Sequence, residues 1–174
     1  MRILTCLTAT LLVGSVAHVA HVAHAKPAAG SEEEARALIA ELARPGADLA
    51  ALSARLRPTA ADYAAVFDAE LAKRAEALYG PAWAAGQIVV QHKPDQTATI
   101  VSKATTDELV AGTGQSMSFP GGYKKVAPRM KRGLTVYAFK FVVPGQQLGM
   151  AYDGLIFVNG HWALFPKPWR LLQG

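Results

Sequence analysis

Two hydrophobic rhythms divide the chain. Up to about residue 79 apolar side chains recur every three or four positions; from residue 87 they alternate. Ala35, Leu38, Ile39 and Leu42 make one apolar helical face. Ser31 opens that helix, Glu34 completes a capping box, and Glu32, Glu33 and Glu34 set negative charge at the positive end of the dipole. Pro45-Gly46 ends it. A second helix is predicted over residues 48–56, capped by Asp48, with Leu49, Leu52 and Leu56 inward and Pro58 as its stop. Thr59 and Asp62 resemble another cap, for a third helix running to Tyr79 that buries Tyr63, Val66, Phe67, Leu71 and Leu78. Gly80-Pro81 is expected to break it, with Trp83 just beyond.

In the second half, glycine, β-branched and aromatic residues replace the alanine-rich pattern. Residues 87–92 and 97–103 read as strands joined through Lys93-Pro94-Asp95-Gln96. Thr105 and Glu108 cap one helical turn, and a long glycine-rich stretch follows over residues 111–126. Residues 134–143 form a strong strand, with Val136, Ala138, Lys140 and Val142 on one face and Tyr137, Phe139, Phe141 and Val143 on the other. Pro144-Gly145 closes it. Residues 150–158 and 161–165 flank Asn159-Gly160, a two-residue hairpin turn in which both residues accept positive φ. Helices first and strands afterwards predict an α+β fold, with N-terminal helices packed on one face of a curved antiparallel sheet.

The amino terminus changes the bounds. Arg2, the apolar run over residues 3–19 and Ala23-His24-Ala25 have the form of a signal peptide cleaved near Ala25, which makes the protein exported, periplasmic or secreted. The competing reading is an uncleaved anchor, in which His18, His21 and His24 interrupt the C-terminal half. The Val-Ala-His triplets of residues 16–24 read either as a metal tract or as repeat slippage in a discarded segment. Removing the first 25 of 174 residues leaves 149, with residues 26–30 as a flexible lead-in and residues 31–174 as a single domain. Cys6 is the only cysteine, so the remainder has no disulfide and no thiolate nucleophile. Arg2 leaves with the signal, and the formal +5 becomes +4, a balance that favours anionic partners and is too weak to argue for nucleic acid.

Motifs for strong chemistry are missing from the sequence. There is no Gly-Lys-Ser/Thr phosphate loop, and Gly114-Gln115-Ser116-Met117-Ser118 lacks the final glycine of a nucleophile elbow. His92 and His161 are the only imidazoles after the signal. No cofactor or metal is expected. Asp153-Gly154 interrupts an apolar strand; Asp153 is either a partly buried proton acceptor or ligand anchor, or a bulge or surface residue beside a glycine that bends the strand. Arg170 is a candidate partner for Asp153 if the tail folds back. His161 is a strand-end residue or a base. Lys124, Lys125, Arg129, Lys131 and Arg132 form either an anionic-surface patch or a solvated connection. Tyr152, Trp162, Phe165 and Trp169 crowd the C-terminus, as an aromatic wall for a ligand or a plug for the core.

Tyr152-Asp153-Gly154, Asn159-Gly160-His161-Trp162 and the tail Phe165-Pro166-Lys167-Pro168-Trp169-Arg170 are similar to small exported bacterial proteins of uncharacterised function. The order of three helices and then a sheet resembles the cystatin-like and nuclear-transport-factor-like cone folds, whose open mouth hosts a ligand or a partner. The resemblance implies no catalytic residues. Three functions follow as expectations. The first is a non-enzymatic domain that binds a small ligand or an envelope protein in a concave sheet, with Tyr152, Asp153, Trp162 and Trp169 in contact with it. The second is a module that binds anionic envelope surfaces through the basic run. The third is a cone-fold enzyme with Asp153 and His161 as an acid–base pair.

Overall fold

A computed structural model describes residues 27–173. The export signal expected over residues 1–25 lies outside them. The chain is α+β: helices α1 (Glu32–Leu42), α2 (Leu49–Ala54), α3 (Ala60–Val66) and α4 (Ala69–Ala84) come first. Strand β1 (Ala98–Thr105), two short helices α5 (Thr106–Ala111) and α6 (Tyr123–Val126), and strands β2 (Thr135–Val142), β3 (Gly149–Val158) and β4 (His161–Leu164) follow. The sheet is open and antiparallel, in the order β1-β2-β3-β4.

Local chemistry sets most boundaries. The Ser31 hydroxyl accepts from the Glu34 amide, as its spacing predicts, but the Glu34 carboxylate reaches one residue further back, to the Gly30 amide at 2.7 Å. The same carboxylate accepts from Trp162 Nε1 at 3.0 Å, which ties α1 to β4. The expected third helix is two helices. Phe67 leaves the α-region at φ −116°, ψ 163°, and pairs with Met130, while Asp68 starts α4 by accepting from the Leu71 amide. That restart resets the buried stripe to Leu71, Ala72, Ala75, Tyr79 and Trp83, and Leu78 turns outward at 52% exposure instead of entering the core. Gly80-Pro81 does not end the helix; α4 continues to Ala84. Burial of Trp83 and a hydrogen bond from the Tyr79 hydroxyl to the Pro166 carbonyl hold the last turns against the bond that Pro81 cannot donate.

Residues 87–92 are a second correction. They are not a strand of the sheet. Side chains pin them instead: the Val90 amide donates to the buried Ser53 hydroxyl, the Tyr152 hydroxyl bonds both backbone groups of Gln91, and His92 lies over Phe141 with Nε2 at the Leu42 carbonyl. The hairpin turn forms as predicted, with Asn159 at φ 49° and Gly160 at φ 82°.

The core joins both halves. Ile39, Leu42, Val66, Phe67, Leu71, Phe139, Phe141, Leu155, Ile156, Leu164 and Phe165 are fully or almost fully buried in one apolar cluster. Phe165 sits edge-on to Tyr63 and Phe67, at 5.7 and 5.6 Å between ring centres, an arrangement worth about 1 kcal/mol per pair beyond the area buried.

Candidate functional site

Asp153 is the one acid inside the sheet, and a bulge puts it there. In the β2–β3 ladder Ala138 pairs with Asp153 and Tyr137 with Leu155, so Gly154 is the extra residue. Gly154 has φ +81°, and any Cβ there would collide with the Phe165 carbonyl, whose own residue donates its amide to the Gly154 oxygen at 2.9 Å. The bulge and the burial therefore coexist: Asp153 is 7% exposed.

Two donors meet one oxygen of this carboxylate. The Tyr123 hydroxyl donates to Oδ1 at 3.1 Å, and the Lys167 amide donates to the same atom at 2.9 Å. The tail does fold back, but its contact with Asp153 is this amide; Arg170 makes no salt bridge to it among the described residues. Lys167 has φ 53°, so the tail's Pro-Lys-Pro segment holds a strained turn that aims the amide. Burial pushes the Asp153 carboxyl above its ordinary range, and the two donors only partly offset it. Burial, then the neighbouring Asp153 charge, raises the Tyr123 phenol well above 10, so it stays protonated and remains a donor.

Asp153 lines a cavity of about 480 Å³ on the face of the sheet. Alternate residues of three strands floor it: Ile100 and Ser102 of β1, Ala138 and Lys140 of β2, Ala151 and Asp153 of β3. Met117, Ser118, Phe119 and Pro120 overhang it from the glycine-rich stretch. That stretch is folded into a 3-10 turn (Gly114–Ser118) and α6, with Phe119 and Tyr123 buried edge-to-face at 5.2 Å. The lining combines seven apolar residues with five polar side chains, those of Ser102, Ser118, Lys140, Tyr152 and Asp153, the mixed composition of a ligand pocket.

The other expected residues are spread around the molecule. Tyr152 shares the cavity wall and stacks on Phe139 at 5.4 Å. Trp162 is buried between Tyr137 and Phe157 with its indole N–H on Glu34. Trp169 packs on Tyr123 at 5.4 Å and borders a separate groove with Gly122 and Lys125. The four aromatic-wall candidates thus do not line one cavity. His161 donates from Nε2 to Asp62 at 2.8 Å, and four ladder positions of β3, Gly154 being the bulge residue, take Asp153 to Val158, the cross-strand neighbour of His161. At roughly 3.3 Å per position the two lie about 13 Å apart along the sheet. Of the basic run, Arg129 pairs with Asp68 and Glu70 and Arg132 with Asp107. Lys124, Lys125 and Lys131 stay exposed and make no salt bridge among the described residues.

Reading the sequence alone passed over Tyr123, Ser102 and Lys140. Ser102 and Lys140 share the strand phase of Ile100 and Ala138, a signal that is present but becomes informative only once the Asp153 register is known. Tyr123 carried no local signal beyond being a bulky aromatic in a glycine-rich stretch. No family model, curated protein or solved structure matches the chain.

Proposed function

We propose that this protein is an exported, non-enzymatic binding domain whose sheet-face cavity takes a small ligand with an apolar body and one hydrogen-bond donor. The observation that carries the reading is Asp153: a carboxylate 93% removed from solvent, in a cavity wall, without a salt-bridged cation. Keeping such a group costs stability, because a buried charge is poorly solvated and a buried neutral acid wants a partner. A ligand amine or hydroxyl supplies that partner, and Ile100, Ala138, Ala151 and Phe119 receive its apolar part. The roughly 13 Å between Asp153 and His161, with His161 held by Asp62, favours binding over acid–base catalysis, since one small substrate does not span it. Export rests on the signal-like amino terminus.

Benzylamine, benzyl alcohol and benzoate, titrated into the isotopically labelled protein, test the reading by amide chemical shifts. The amine and the alcohol are expected to move Ile100, Ser102, Ala138 and Ala151, with affinities of about 1 mM. Asp153→Asn is expected to abolish the amine response while Trp162 keeps its native shift. If all three probes leave those four amides unmoved, or move them equally in the Asp153→Asn variant, the assignment is wrong.

A further inference from the structure

A second groove lies on the other side of Asp153, and its wall is a strand edge. β4 pairs with residues 155–158 of β3 and no further, so among the described residues the edge of β3 from residue 149 to 153 has no strand beside it. In an antiparallel ladder alternate residues turn their N–H and C=O away from the paired neighbour. Along residues 149–153 those outward groups meet no backbone partner among the described residues. Across the groove run residues 87–89, where Ile88 and Val89 likewise make no backbone hydrogen bond.

The space between is about 460 Å³. Its walls are apolar: Ile88 and Val89 on one side, Met150 and Ala151 on the other, with Leu78 at the α4 end. Leu78 and Met150 are two of the few large apolar side chains left exposed, at 52% and 39%. The lining also carries Lys167 and Arg170, both exposed and neither in a salt bridge among the described residues. Asp153 is the only acid in the lining, and one of its oxygens already takes two donors.

From this we infer that the groove accepts an extended segment of a partner polypeptide as an added strand on β3, apolar at alternate positions and carrying a carboxylate at the end that meets Lys167 and Arg170. Strand addition explains why main-chain groups and apolar walls occur together: the edge supplies affinity and the walls read every second side chain. An unpaired edge is otherwise an aggregation hazard, and natural proteins cover, twist or charge such edges. Here the Lys167 charge reaches Asp153 only at a distance and neither cation is ion-paired with an acid among the described residues, which leaves both for a partner's carboxylate.

The test uses the purified protein with a synthetic peptide, acetyl-Thr-Val-Thr-Val-Thr-Glu. Three further probes accompany it: the same peptide N-methylated at both valines, a lysine-ended counterpart, and Arg170→Glu protein. The acidic peptide is expected to slow hydrogen exchange at the outward amides of residues 149–153 by about tenfold. N-methylation is expected to abolish binding, and Arg170→Glu to reverse the preference between acidic and basic ends. The inference is overturned if the N-methylated peptide binds as well, or if no peptide binds at about 1 mM. It is overturned too if the peptide-free protein sediments as a dimer with those amides already protected, which would give the edge to a second copy of this chain. Loss of peptide binding with an intact benzylamine response would leave the sheet-face cavity standing, so the two sites fail separately.

Discussion

Asp62 and Asp153 are both buried carboxylates, and the number of donors around each sends them in opposite directions. Burial alone would raise Asp62, which is fully inaccessible, but the Thr59 amide and hydroxyl, Asn159 Nδ2 and His161 Nε2 all donate to it and hold it below the usual carboxylate range. It stitches the start of α3 to the β3–β4 turn. Asp62→Ala should therefore cost about 3 kcal/mol in chemical denaturation, because it strands several buried donors at once. Asp153 has two donors on one oxygen, and burial wins. Its folded carboxyl keeps its proton to higher pH than the unfolded chain, so ionising it as pH rises subtracts from stability. Asparagine still accepts from Tyr123 and Lys167 and carries no charge. Asp153→Asn should gain about 1 kcal/mol at pH 7, the size usual when a site residue is traded for stability. That gain should shrink as pH is lowered until both states hold the proton. A pH series of melting curves in which the variant is less stable throughout would remove Asp153 from the list of strained groups. The sequence marked Asp153 by a break in an apolar pattern, whereas Asp62 read as nothing more than a helix cap, because its partners Asn159 and His161 lie almost a hundred residues away.

At the scale of elements, the bulge in β3 matters most, and a single glycine makes it. Gly154→Ala needs a left-handed backbone with a side chain and a collision with the Phe165 carbonyl, and should cost about 3 kcal/mol. Deleting Gly154 is the more informative change. It removes the extra residue and makes the Ala138–Asp153 and Tyr137–Leu155 pairs consecutive, so residues 149–153 keep their register and face, while the carbonyl that takes the Phe165 amide is lost. The tail is then no longer anchored beside Asp153, the Lys167 amide loses its aim, and the carboxyl should move further above its ordinary range in a carbon-13 titration. An unchanged carboxyl titration in a folded deletion variant would show that the tail holds its amide on Asp153 without the bulge. Strand patterns and the Asn159-Gly160 turn were legible because they are local. The break between α3 and α4 was not: helical spacing runs through Phe67, and the pairing of Phe67 with Met130 pulls that residue out. Residues 87–92 keep a strand's alternation, yet Ser53, Leu42 and Tyr152 engage them from outside the ladder. Pro81 stayed helical for the same kind of reason, a tertiary hold on Tyr79 and Trp83 that outweighs the local rule.

Across the whole molecule, the helical half meets the sheet half at Glu34–Trp162, at Asp62 with the β3–β4 turn, and at a junction around Asp68. Asp68 caps α4, donates its own amide to the Arg129 carbonyl, and takes the Arg129 guanidinium on its carboxylate; next to it the Lys131 amide donates to the Val66 carbonyl. The Arg129 side chain, then the Leu71 amide, draws the Asp68 carboxyl down to about 2. Glu32 beside Lys103 and Arg36, Glu108 in its capping box with Thr105, and Asp62 are lowered as well. A carboxyl whose folded pKa is depressed contributes stability that is complete above its unfolded pKa and is lost as pH falls through the folded one. Stability contributed by these groups should therefore hold from neutral pH to about 4 and decline between about 4 and about 2. Asp68→Asn should flatten that decline, since it removes the carboxyl drawn down furthest. Because α1, α4 and all four strands feed one apolar cluster, the acid transition should be single. Trp83 in α4, Trp162 in β4 and Trp169 in the tail report from three regions, so tryptophan fluorescence and far-ultraviolet circular dichroism should fall together. Two separated transitions would mean that the Asp68–Arg129 junction joins parts that unfold independently, and that the sheet carries its cavity without help from the helices.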